Sequence, residues 1–105
     1  MARTINIRVA HGTTQDQALA SIQNGSDRLL AKYGERISDL VFAWDGPRLT
    51  AQCRALGQTV TSQTEVTASD VIVDVQLPIL LGLFSDKIRD FLERKVTRMI
   101  ENGKA

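Results

Sequence analysis

The sequence contains little of what most catalytic and metal-binding sites are built from. Its 105 residues include one cysteine, one histidine and two prolines, and only 5% of them are aromatic. A lone cysteine excludes an internal disulfide and leaves a zinc site without a second thiolate ligand. No glycine-rich phosphate loop, paired-carboxylate motif or metal-ligand cluster is visible in the sequence. The sequence therefore predicts a protein that is not an enzyme, with no catalytic residue, no cofactor and no metal.

The chain also lacks an excess of charge of one sign and a long apolar run. Its 13 basic residues balance 12 acidic ones, which leaves a net charge of +1 at neutral pH. With this balance the chain has no net electrostatic attraction for nucleic acid or for an anionic membrane, so we expect no nucleic-acid binding. No apolar run approaches the roughly 18 residues of a membrane span, and the residues after Arg3 alternate, unlike a signal peptide. We therefore expect no transmembrane segment and a cytoplasmic location.

The apolar residues that are present suffice for one core. With 43% hydrophobic residues, the chain suits a single domain spanning residues 1–105. Alternation of apolar and polar residues with a period of two predicts five strands. These strands run over Thr4–Ala10, Leu40–Trp44, Leu49–Ala55, Gln58–Thr67 and Val71–Leu77.

Apolar residues at three- and four-residue steps predict two helices. The first opens at Thr14, three residues before Gln17 as in a capping box, and ends at Gly34. Gly25 inside it indicates a kink or a close neighbour. The second follows the apolar run Leu77–Phe84, and its inward stripe contains Phe84, Ile88, Phe91 or Leu92, Val96 and Met99. The order β-α-β-β-β-β-α predicts an α+β fold, a mainly antiparallel sheet with both helices packed on one face.

Several residues that could react or bind a ligand have ordinary structural interpretations. His11 has no neighbouring nucleophile motif, which favours a strand-end histidine that hydrogen-bonds a turn. Cys53 occupies the inward phase of its strand, where cysteine behaves as a small hydrophobe. Trp44 can close the rim of the core or stack on a ligand. The interleaved charges of the last helix predict a solvated face with ion pairs three and four residues apart.

A set of residues lies at the ends of the predicted strands and helices and at the turns between them. They are His11 after a strand, Trp44 and Gly46 at a turn, Gly57, and Leu77 and Leu81 before the last helix. Over about Ile5 to Ile100 this pattern resembles the polyhydroxyalkanoic acid system proteins, small bacterial proteins associated with storage-polyester granules. The resemblance implies a location at storage granules, with the polyhydroxyalkanoate granule or a granule protein as partner. It implies no established catalysis.

Two binding functions and a third, catalytic one remain open. Leu77–Phe84 holds six large apolar side chains among eight residues, too many for one sheet face to bury, which predicts an exposed surface for a granule, a protein partner or a homodimer. The predicted contact residues are Ile79, Leu80, Leu83, Phe84 and Trp44. The alternative is a small hydrophobic-ligand-binding domain with a cavity between the sheet and the C-terminal helix, beside the small inward residues Ala51, Cys53 and Ala55. Convergent polar groups around His11 would favour an enzyme.

Overall fold

The computed structural model describes residues 3–35, 37–55 and 57–104, with five strands and two α-helices in the predicted order. A short 3₁₀ helix joins the last strand to the last α-helix. The elements are β1 (Arg3–Ala10), α1 (Gln15–Tyr33), β2 (Ser38–Asp45), β3 (Arg48–Ala55), β4 (Gln58–Val66), β5 (Asp70–Leu77), the 3₁₀ helix (Ile79–Phe84) and α2 (Ser85–Lys104).

The strands form one antiparallel sheet in the order β1-β5-β4-β3-β2. The first strand pairs with the last, with Ile5 opposite Val75 and Ile7 opposite Val73. Because side chains alternate along a strand, this register places the apolar residues of both strands on the same face. The predicted α+β fold is confirmed.

Turn and cap residues account for the ends of several elements. Gly46, at the β2–β3 turn, and Gly57, between β3 and β4, have φ angles of +58° and +75°, which glycine adopts without steric cost. The backbone N–H of Gln17 donates to Thr14 Oγ1 at 3.2 Å, so the predicted N-cap of α1 is confirmed.

Both helices cover the apolar face of the sheet and cross each other closely. α2 packs against β1 and α1, and α1 also contacts β4. A Cβ added at Gly25 of α1 would lie 2.4 Å from Met99 Cγ of α2, and one at Gly103 would lie 2.6 Å from Ser21 Cβ. The close neighbour predicted for Gly25 is therefore Met99. The core between the layers contains Ile5, Ile7, Ala18, Ile22, Val66, Val71, Val73, Val75, Leu77, Val96 and Ile100.

The inward stripe of the last helix differs from the predicted one at Phe84, and of the two alternatives Phe91 and Leu92 it contains Leu92. Leu92 packs against the core, whereas Phe91 is 44% exposed and Phe84 is 48% exposed. Phe84 ends the 3₁₀ helix. Because a 3₁₀ helix has three residues per turn and α2 has 3.6, the Phe84 side chain does not continue the stripe of α2. Phe91 and Leu92 lie about 100° apart around the helix, and only the one nearer the sheet is covered. The assignment of Phe84 to the inward stripe was wrong.

Candidate functional site

Among the side chains that the structure describes, three large apolar ones are exposed on the 3₁₀ helix and the first two turns of α2. Leu83 is 89% exposed, and Phe84 and Phe91 are nearly half exposed. Phe84 ends the 3₁₀ helix, and Phe91 lies seven residues further along the chain, on α2. We call these three residues the apolar patch. Phe91 was not among the predicted contact residues, because the spacing of α2 allowed either Phe91 or Leu92 to face the core.

The geometry of the 3₁₀ helix explains why part of the apolar run lies outside the core. Leu77 ends β5 with 1% exposure, and the backbone N–H of Leu81 donates to Pro78 O at 3.0 Å as the chain turns. Leu81 packs against the core. Successive residues of a 3₁₀ helix are about 120° apart, so Leu83 lies well away from the direction of Leu81. The side chains of Ile79 and Leu80 lie outside the described residues.

The charges around the apolar patch do not form the predicted ion pairs. Among the side chains of α2 that the structure describes, no two of opposite charge lie within 4.0 Å; the ion pairs found join Arg8 to Asp70 and Arg48 to Glu65. Exposed pairs on a helix gain little free energy and lose side-chain entropy, so their absence has an ordinary cause. Lys95 Nζ instead lies 5.5 Å from the centroid of the Phe91 ring.

Trp44 stands apart from the apolar patch. It belongs to β2, the edge strand farthest from β1, whereas α2 packs on β1. Its side chain is half-buried, lies opposite Leu49 and packs against the core. The structure therefore does not bring together all the predicted contact residues.

His11 is fully buried, and both of its ring nitrogens contact backbone groups. The N–H of Thr13 donates to Nδ1 at 3.2 Å, and Nε2 lies 2.9 Å from the carbonyl oxygen of Thr67. Because Nδ1 accepts, Nε2 carries the proton and donates to Thr67. The predicted histidine that hydrogen-bonds a turn is confirmed.

The remaining candidate groups show no arrangement typical of catalysis. Burial raises the pKa of the half-buried Cys53 thiol, which lowers its thiolate fraction and its reactivity at neutral pH. Within the described part of the chain, no three His, Cys, Asp or Glu side chains are grouped so that they could hold a metal ion.

Over the same residues, no helix has the length and apolar character needed to cross a bilayer.

Two cavities open on the helical side of the molecule. One is an open groove of about 960 Å³, and its described lining residues all belong to α2, from Asp90 to Glu101. The other, of about 200 Å³, lies between α1 and α2. Neither lies between the sheet and α2, where the ligand cavity of the alternative prediction would be, and neither is lined by Ala51 or Cys53. The side chain of Ala55, the third of the predicted small inward residues, lies outside the described residues.

Comparison with known proteins shows to which family the chain belongs. Residues 5–100 match the family model described as "Putative polyhydroxyalkanoic acid system protein". The chain belongs to this family. The match covers nearly the whole chain and confirms the resemblance drawn from the sequence. No curated protein matches the chain.

A solved structure shows a distant likeness to this member of the polyhydroxyalkanoic acid system family. The crystal structure of Ara h 8.0201 is 12% identical, with a TM-score of 0.47, over 97% of this chain and 99% of that chain. At this level of similarity it carries no functional argument.

Proposed function

We propose that the chain is a non-catalytic protein of the bacterial cytoplasm that binds the apolar surface of polyhydroxyalkanoate storage granules through the apolar patch. The observation that carries the proposal is the exposure of Leu83, a leucine near the end of the 3₁₀ helix that is 89% exposed. Ile79 and Leu80 precede it on the same short helix and are included in the proposed contact. Membership of the polyhydroxyalkanoic acid system family supports the choice of partner.

The size of the apolar patch fits a reversible contact. Complete burial of an exposed leucine or phenylalanine contributes about 1.5–3 kcal/mol. Phe84 and Phe91 are already about half buried. The three side chains together can therefore contribute about 3–5 kcal/mol on a polymer surface. A single patch of this strength supports docking and release rather than permanent attachment.

The polar surroundings of the apolar patch suit a polyester. Lys87 and Lys95 lie four residues before and after Phe91 on α2, and Lys95 extends along the Phe91 ring. Lysine can lay its aliphatic stem on an apolar surface while its ammonium group remains in water or donates hydrogen bonds. Ester carbonyls accept such bonds, so the same face offers the polymer both apolar and hydrogen-bonding contacts.

The proposal is tested by co-sedimentation with protein-free polyhydroxybutyrate particles. Leu83→Asp should reduce the bound fraction at least about five-fold, because a carboxylate in place of the leucine would have to be desolvated at the polymer. Val41→Asp is the matched control, since Val41 is 58% exposed on β2, away from the 3₁₀ helix. Both variants should keep the wild-type circular-dichroism spectrum.

Two results would contradict the proposed polymer contact. Undiminished binding by Leu83→Asp would show that the apolar patch is not the contact surface. Binding to native, protein-coated granules but not to bare polymer would show that the partner is a granule protein.

A further inference from the structure

The cleft between α1 and α2 concentrates positive charge in a nearly neutral protein. Four of its lining residues are cationic and none is acidic, although the whole chain has a net charge of only +1. Its polar lining consists chiefly of Asn24, Arg28, Lys32, Lys95, Arg98 and Asn102, which we call the basic cleft. We propose that the basic cleft binds a compact, multiply charged phosphate group of about the size of pyrophosphate.

The antiparallel crossing of the two helices builds the basic cleft. Gly25 meets Met99, and Ser21 meets Gly103, so contacts move toward the start of α1 as they move toward the end of α2. The polar residues of the cleft recur at steps of three or four on each helix, which places each set along one face. The glycines allow the backbones to approach, and Met99 and Leu29 supply the apolar part of the lining.

Among the described residues, the four cations of the basic cleft have no acidic side chain within 4.0 Å. Within the described residues, the ion pairs lie elsewhere, between Arg8 and Asp70 and between Arg48 and Glu65. Lys32 lies 5.3 Å from the ring centroid of its neighbour Tyr33, and Lys95 lies against Phe91. Like charges that line one cleft repel one another and destabilise the folded state. A bound anion would remove this repulsion.

The size and donor set of the basic cleft favour a compact phosphate ligand. Its volume of about 200 Å³ is below the roughly 300–1,000 Å³ of pockets for drug-sized ligands. Arginine presents a planar set of donors that matches phosphate oxygens, and asparagine amides add neutral donors. A single carboxylate would neutralise one cation of four, whereas a multiply charged phosphate neutralises several. Nucleic acid fits less well, because acidic residues such as Asp90 and Glu93 continue along α2.

The proposal is tested by calorimetric titration of the full chain with inorganic pyrophosphate. Removal of two of the four cations, one per helix, in Arg28→Gln/Arg98→Gln should weaken binding at least about ten-fold, since it removes two charge-assisted contacts. Arg94→Gln is the control, because Arg94 lies on α2 outside the basic cleft and donates from Nε to the carbonyl oxygen of Asp90. Its affinity should stay within about two-fold of wild type.

Thermal unfolding gives a second readout. Pyrophosphate should raise the Tm of the wild type and of Arg94→Gln, because a ligand that binds only the folded state stabilises it. It should leave the Tm of the double variant unchanged. The double variant should still bind polyhydroxybutyrate particles, and Leu83→Asp should still bind pyrophosphate, so the two proposals fail separately.

Two further probes distinguish the sources of phosphate. Vesicles containing phosphatidic acid, whose phosphomonoester can carry two negative charges, that bind with the same dependence on Arg28 and Arg98 would identify a lipid headgroup as the source of the phosphate, whereas binding of pyrophosphate alone would identify a free phosphate. Absence of pyrophosphate binding, or equal weakening by Arg94→Gln, would overturn the proposal. Tighter binding of a single-stranded oligonucleotide that is lost in the double variant would show that the basic cleft takes nucleic acid instead, and would also overturn the proposal.

Discussion

The imidazole of His11 connects the loop before α1 to the turn between β4 and β5. Its Nε2 donates to Thr67 O, and its backbone N–H donates to Ser69 O at 3.1 Å. Gln15 Nε2 reinforces the same junction by donating to Val66 O at 3.0 Å. With no exposed surface and two occupied nitrogens, His11 acts in the fold, and a lone histidine after a strand was sufficient to predict this role.

At the scale of the residue, His11→Ala tests this role. The substitution leaves the Thr67 carbonyl and the Thr13 N–H without their partner and opens a cavity, so the free energy of unfolding should fall by about 2–5 kcal/mol. Urea denaturation measures the change. Gln15→Ala is the control and should cost less than about 1 kcal/mol, because Gln15 is exposed and water can replace its donor. Equal stability of His11→Ala and wild type would show that the imidazole does not support the turn.

Strands were more predictable than helix faces because a strand offers each side chain only two directions. Alternation in β1 and β5 therefore identified the buried residues directly, and the observed register confirms it. A helix stripe is at least about 100° wide and admits both Phe91 and Leu92. The choice between them depends on where β1 and α1 lie relative to α2. The spacing of apolar residues within α2 does not reveal those positions.

The basic cleft could not be predicted for a related reason. Each helix alone presents cations among acidic residues, as an ordinary solvated face does. Only the crossing at Gly25 and Met99 brings Arg28 and Arg98 to the same cleft. Gly25 was the available signal, because a glycine inside a helix indicates a close neighbour, but it did not identify which element approaches.

At the scale of the element, neighbouring substitutions on α2 test which face is buried. Leu92→Ala should lower the free energy of unfolding by about 1–3 kcal/mol, since Leu92 packs against the core. Phe91→Ala should cost less than about 1 kcal/mol, because nearly half of its side chain is already in water. Chemical denaturation of both variants provides the comparison. A larger loss for Phe91→Ala would mean that α2 presents the other face to the sheet.

Both proposed binding surfaces lie on the helical side of the molecule. The molecule measures 38 × 25 × 22 Å, and the apolar patch and the basic cleft both involve α2. The outer face of the sheet carries polar residues and the exposed ion pair between Arg48 and Glu65. A large apolar surface is therefore expected to meet the helices, while the sheet faces water.

At the scale of the whole molecule, the apolar patch should also govern self-association. We expect the free chain to form a homodimer with a two-fold axis near Leu83, because in such an interface each copy covers the same apolar patch of the other. Burial of the two patches favours association, but the translational and rotational freedom lost on binding offsets much of that free energy. Dimers should therefore appear only above about 0.1 mM. Sedimentation velocity over a range of concentrations measures the association.

The same two aspartate variants decide whether the apolar patch is the dimer interface. Leu83→Asp should remain monomeric at concentrations where the wild type and Val41→Asp associate, because the dimer would place two carboxylates close together in a desolvated contact. Loss of the dimer in Val41→Asp alone would assign the interface to the β2 edge of the sheet. A wild-type chain that stays monomeric at every concentration would exclude the homodimer. Because polymer and partner copy would cover the same leucine, added polyhydroxybutyrate particles should deplete the dimer in proportion to the protein that they bind.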